Sequence, residues 1–192
     1  MSNPKTKYLG YNYDRICYRG HDKAAIFFEE KNYFFFLKRL QEKLCANHID
    51  VVCYGLMPNR YHRLVYLNKG ADLPKNMQAF SISYSKAINT YYHRAGSNFQ
   101  GTYNGKLIDT DEYLIYISKY IHLNPVTAGI VNKPEEDYVF LNYKGFIGKR
   151  NSVLVKTDAV LSQFISTDDN IKFINDNNIE YLRSSKKFDF FA

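Results

Sequence analysis

Three residues of this chain have types and spacings that could carry chemistry: a nucleophilic tyrosine, its helical neighbour, and a histidine on a strand face suited to phosphate or metal. Tyr120 and Asn124 lie four apart in "YLIYISKYIHLNP", which sets them side by side on one face if the segment is helical. His62 lies in "MPNRYHRLVYL", which reads as a turn at Pro58-Asn59 opening into a strand. On that strand Arg60, His62, Leu64 and Tyr66 share one face, and Tyr61, Arg63, Val65 and Leu67 the other. A phenol is a nucleophile once it is deprotonated or metal-polarised, and an imidazole takes up a proton or a metal ion. Taken singly, each residue has a plainer reading: a tyrosine at a core margin, an asparagine capping a helix before Pro125, and a satisfied strand histidine. His21, His48, His93 and His122 are isolated and read as helix-end or surface residues. Arg60 would repel a divalent cation and attract a phosphate. The chain has no Walker-type glycine loop, GxSxG elbow or HExxH helix.

The elements that must position these residues follow from periodicity. "YNYDRICYRG" (11–20) is aromatic and partly alternating, a strand. Residues 29–48 place Tyr33, Phe36, Leu37, Leu40 and Leu44 at helical spacing, with acidic residues opening the helix and His48 closing it. "IDVVCYGL" (49–56) is a second strand, close enough to the third to form a hairpin. Asp72 caps a helix over 74–94 with a core stripe of Met77, Phe80, Tyr84, Ala87 and Tyr91. "GTYNGKLI" (101–108) is a fourth strand. "DTDE" (109–112) is a capping box in which Asp109 accepts an amide and Glu112 reaches back. It opens a helix with a Leu114, Ile117, Ile121 stripe that stops at Pro125. The order βαββαβ plus a helix predicts an α+β, ferredoxin-like split βαβ domain with an antiparallel sheet. Beyond Gly129, "YVFLNYKGFIGKR" reads as an extended arm and 156–185 as two short helices. The expected organisation is one domain over 1–148 and a C-terminal tail over 149–192.

Composition narrows the partner. The 192 residues carry a net charge of +7, which favours a polyanion, and 18 Tyr with 14 Phe supply rings for a core and for stacking on bases. Cys17, Cys45 and Cys53 form no CxxC pair, which argues for reduced thiols and against zinc. The polar start "MSNPKTKYLG" and the lack of a membrane-length apolar run lead to an expected cytoplasmic location with no membrane partner.

"YGLMPNRYHRLVYL", "FQGTYNGKLI" and "YLIYISKYIHLNPVTAGIV", in this order, resemble the single-tyrosine transposases of the HUH endonuclease superfamily, especially the REP-associated tyrosine transposases. "RICYRGHDKAAIFFEEKNYFFFLKRLQEKL" resembles that family's first strand and helix, so the resemblance covers 11–148. It implies a tyrosine that attacks single-stranded DNA, leaving a 5′-phosphotyrosine and a free 3′-hydroxyl. Mg²⁺ or Mn²⁺ assists, held by a His-hydrophobic-His strand and a polar residue one turn beyond the tyrosine. Carried over, the added helix is the catalytic one, Tyr120 is the nucleophile, and Asn124 and His62 are metal ligands. Arg60 stands where the first histidine belongs, so the ion would bind weakly or not at all, and Arg63 stands where an apolar residue is more typical. Arg60, Arg63, Lys86, Arg94, Lys106 and Lys119 are the expected phosphate contacts. The implied partner is single-stranded or hairpin DNA, bound by a monomer or homodimer. Two alternatives remain: a degenerate or domesticated relative that binds nucleic acid without cutting, and an unrelated RNA-binding sheet, which would lack its aromatic RNP pattern here.

Overall fold

The computed structural model describes residues 11–133, 138–150 and 152–176. Strands β1 (Asn12–Arg19), β2 (Ile49–Met57), β3 (Arg60–Leu67) and β4 (Asn104–Ile108) form one sheet in the order β2-β3-β1-β4, every neighbouring pair antiparallel. The helices are α1 (Glu30–Lys43), α2 (Leu73–Tyr91), α3 (Asp111–Thr127), α4 (Tyr143–Phe146), α5 (Asp158–Leu161) and α6 (Thr167–Asn175). This is the βαββαβ arrangement, with β3 and β1 central and α3 added after it. Among the described residues no helix is long and apolar enough to cross a membrane.

Alternation along the strands gives the sheet two buried faces. Ile16, Tyr18, Tyr61, Val65 and Leu67 pack with Phe36, Leu40, Met77, Phe80 and Tyr84 of α1 and α2. On the other face Leu64, Val52 and Cys53 meet Leu114, Ile117 and Ile121 of α3. A β-bulge between Val51 and Cys53 shifts the phase of β2, so that Val52 and Cys53 both turn toward α3. The β2–β3 turn is tied down from outside: Gly20 N–H donates to the Asn59 carbonyl at 2.8 Å, and the Ile26 and Phe27 amides donate to Pro58 at 2.8 and 3.1 Å.

Several boundaries differ from expectation. α1 ends at Lys43; a short 3-10 turn follows, and His48 leaves it at φ 63° instead of closing the helix. α2 keeps its Asp72 cap on the Lys75 amide, but buries Ile88 and leaves Tyr91 exposed. The cap of α3 is Thr110, whose hydroxyl accepts from the Tyr113 amide at 3.1 Å, and not Asp109. α3 runs through Pro125. The missing Pro125 N–H deprives the Ile121 carbonyl of its helical partner, a small loss in a helix that ends two residues later. Gly129, at φ +68°, then closes the helix: its amide donates to Val126 and that of Ile130 to Pro125, both at 2.9 Å.

Residues 138–150 are not an extended arm. Leu56 N–H donates to Phe140, the Tyr54 amide and carbonyl bond Asn142 at 2.7 and 3.3 Å, and α4 follows. α5 and α6 are the two expected short helices, within 156–176; 177–185 lie outside the described residues. Residues placed in the expected tail pack on α3: Val160 joins the Leu114–Ile121 cluster, and Ile174 packs with Leu123, Leu141 and Tyr143.

α3 lies close against the sheet at Gly55. A Cβ there would lie 3.0 Å from the Ile121 carbonyl oxygen, 3.2 Å from Leu141 Cδ1 and 3.4 Å from Ile121 Cγ2. The carbonyl freed by Pro125 thus rests on bare backbone. Gly55→Ala should destabilise the protein by about 1–3 kcal/mol through overpacking, read as a lower urea midpoint at unchanged m.

Candidate active site on the sheet face under α3

Cross-strand pairing sets Gly55, His62, Cys17 and Asn104 in one row across β2, β3, β1 and β4. The side chains at His62 and Cys17 lie on the α3 face, the latter's sulfur 3.9 Å from His62 Nε2. Tyr120 stands on α3 directly above. Its ring meets the His62 ring edge-on, centroids 5.4 Å apart and planes at 88°. Asn124, one turn on, hydrogen-bonds the Tyr120 hydroxyl. So Tyr120, His62 and Asn124, read separately from sequence, are brought together by a strand and a helix. His62 is 2% exposed and Asn124 4%, while Tyr120 is half-buried. His62 Nδ1 and Asn124 Nδ2 have no hydrogen-bond partner among the described residues.

Two arginines flank this row on the same face. Arg60 lies two residues before His62 on β3, and Arg15 two before Cys17 on β1, only 2% exposed and donating to Asn104 Oδ1 at 3.1 Å. Burial raises the Tyr120 hydroxyl above its ordinary value, the Asn124 hydrogen bond lowers it, the nearby Cys17 raises it, and Arg15 and Arg60 pull it down. Burial, then Arg15 and Arg60, hold His62 well below the usual imidazole range, so it is neutral at pH 7. Sequence reading passed over Arg15 and Cys17. The signal was there: alternation in "YNYDRICYRG" puts Tyr13, Arg15, Cys17 and Arg19 on one face.

The other expected phosphate contacts separate. Lys106 lies on the α3 face, 5.6 Å from the Tyr113 ring. Arg94 is exposed beyond α2, over the Phe28 ring. Lys86 is exposed on α2, on the opposite side of the sheet, where it lines a groove of about 650 Å³ with Tyr18, Met77, Phe99 and Tyr103. Arg63 and Lys119 are corrections. Arg63 is 0% exposed and faces α1 and α2, where it donates to the Tyr61 hydroxyl at 3.1 Å beside the Phe36 and Phe80 rings. Lys119 is 1% exposed, its ammonium 4.7 Å from the Phe173 ring of α6. Neither reaches a bound strand, because strand alternation turns one inward and α6 covers the other.

The donor set does not fit Mg²⁺ or Mn²⁺. Hard divalent ions take mainly carboxylate and other oxygen ligands. Here His62 and Asn124 offer one nitrogen and one amide; among the described residues no carboxylate acts on His62 or Tyr120, and two arginines do. Among the described residues no group of three or more His, Cys, Asp or Glu is placed to hold a metal ion.

The fold was compared with known proteins. A REP-associated tyrosine transposase, solved bound to a REP hairpin, superposes with TM-score 0.67 over 81% of this chain and 98% of its own, at 12% identity. The chain has the fold of a REP-associated tyrosine transposase. A candidate transposase from Deinococcus radiodurans R1 overlaps more loosely, with TM-score 0.45 over 59% of this chain and 91% of its own, at 12% identity. No family profile and no curated protein matches the sequence.

The buried titratable groups set a pH dependence. Burial also holds His122 down at about 3, partly offset by an Asn142 hydrogen bond, while burial raises Asp14 to about 7 against an Asn12 hydrogen bond. His62 and His122 stay neutral in the fold but charge in the unfolded chain, so their contribution is full above about pH 6.5 and declines below it. Asp14 stays protonated in the fold and opposes them between about pH 4 and 7. Two against one leaves about one proton. Stability should therefore fall by about 1.4 kcal/mol per unit from roughly pH 6 to 4. Urea midpoints across that range check this, and His122→Asn should nearly flatten the profile.

Proposed function

We propose that this protein is a transposase-type DNA-binding protein that takes single-stranded or hairpin DNA on the α3 face and presents Tyr120 as the nucleophile for strand cleavage and joining. The observation that carries the reading is the convergence of Tyr120, Asn124 and His62 at one point of a sheet whose flanking side chains are arginines. The hairpin bound to the solved transposase of the same fold supports the substrate class. In this reading Tyr120 attacks a phosphodiester and becomes linked to the 5′ phosphate, and the 3′ oxygen departs as a hydroxyl. Asn124 orients the phenol through its hydrogen bond. Arg60 and, along the same face, Lys106 meet the phosphate chain; Arg94 and Lys86, on the α2 side of the sheet, lie off this path.

One observation favours a second reading, binding without cutting: burial raises the Tyr120 hydroxyl, so the phenol is not activated by its surroundings alone. A covalent adduct separates the two. Incubated with a labelled DNA hairpin, the protein should form a band stable to denaturation that Tyr120→Phe abolishes while hairpin affinity stays within about twofold. Two phosphate contacts, Arg60 and Lys106, would weaken binding about 10-fold between 50 and 200 mM salt, through counterion release. Equal, salt-insensitive affinity for hairpin, single strand and duplex would remove the DNA reading. Tight hairpin binding with no adduct under any condition would leave the binding protein.

A further inference from the structure

The face under α3 is a site built from cations and hydrogen-bond donors. Arg60 Nε and His62 Nδ1 are buried and have no hydrogen-bond partner among the described residues. Both can donate. Buried donors left unpaired are costly, and an incoming acceptor would recover that cost. The charged groups facing Tyr120 from β1 and β3 are Arg15 and Arg60, and no carboxylate is among them. Such a set rejects a divalent cation and accepts an anion with several oxygens.

We propose that Arg60, backed by the positive potential of Arg15, clamps the phosphate beside Tyr120 in place of the divalent ion, so that strand transfer by this protein is independent of metal. The inference rests on the DNA reading above and adds to it the residues and the electrophile. Arg60, half-buried at the end of β3, touches the scissile phosphate and neutralises the charge that develops on its oxygens. Arg15, almost fully covered and fixed by Asn104, is a positioning residue: it adds positive potential at Tyr120 and His62 without meeting the substrate. The step balances without a co-reactant. The Tyr120 oxygen forms a bond to phosphorus as the bond from phosphorus to the 3′ oxygen breaks. The phenol proton passes to water, and the departing 3′ oxygen takes a proton from water.

Two probes test the clamp, both in excess EDTA. The first is tungstate, a tetrahedral oxyanion, titrated calorimetrically. One ion should bind per chain, with affinity lost in Arg60→Gln and kept in Lys38→Gln, an exposed site on α1. The second is a labelled DNA hairpin. The unmodified protein should form the Tyr120 adduct without metal, and Arg60→Gln should slow it about 100-fold. Arg15→Gln should move the pH profile of adduct formation to higher pH, and Arg15→Lys should restore it, which a merely structural role would not produce. Tungstate binding that survives Arg60→Gln overturns the clamp whatever the DNA result. An adduct that forms only with Mn²⁺ overturns metal independence, and a bound hairpin that never reacts overturns the catalytic role. Tungstate binding lost in Arg60→Gln, in a protein that binds no hairpin, keeps the clamp and overturns the DNA reading instead.

Discussion

The site depends on the register of β3 between β1 and β2. His62 and Arg63 are neighbours on a strand buried on both faces, so a slip of one residue would exchange them. In the observed register His62 lies under Tyr120 and Arg63 among the rings of α1 and α2. The Pro58-Asn59 turn holds that register, because three amides from the segment after β1 bond its two carbonyls. The pleat, the turn and the aromatic packing all specify the same pairing, and the chemistry is a by-product of it.

Electrostatics differ across the two faces although both hold buried cations. Arg63 is satisfied by softness: the Tyr61 hydroxyl, the Met77 sulfur and three aromatic faces surround a guanidinium that has no carboxylate partner among the described residues. Its Nε and Nη1 have no hydrogen-bond partner among the described residues, so it holds its place by packing more than by pairing. On the α3 face the cations are instead aimed at polar side chains. There Arg15 and Arg60 act on a phenol and an imidazole, groups whose protonation responds to field. The same residue type is structural on one side and electrostatic on the other.

The architecture was legible because its signals are local. Alternation in 11–20, 49–56 and 60–67 and helical spacing in 29–44 and 73–91 survive without knowledge of neighbours, and they yielded the strands, the hairpin and the two faces of β3. The pairing of Tyr120 with Asn124 was legible for the same reason. What was missed depends on contacts distant in sequence. Pro125 stays helical because its turn is the last and Gly129 closes it. Lys119 is buried by α6, some fifty residues later, and the segment after Gly129 folds because β2 offers Tyr54 and Leu56 to it. Arg15 escaped notice because a single cation in an aromatic strand resembles an edge residue until β4 pairs beside it.

The contact between Gly55 and the Ile121 carbonyl has a consequence for heredity. It joins main chain to main chain, one residue from Tyr120 and one cross-strand step from His62. Its geometry owes nothing to which side chains fill the rest of that interface, provided position 55 stays bare. Apolar residues around it can then be exchanged over many generations without moving the tyrosine off the strand. A fold shared at 12% identity, with little of the amino-acid sequence in common, is compatible with such a seat.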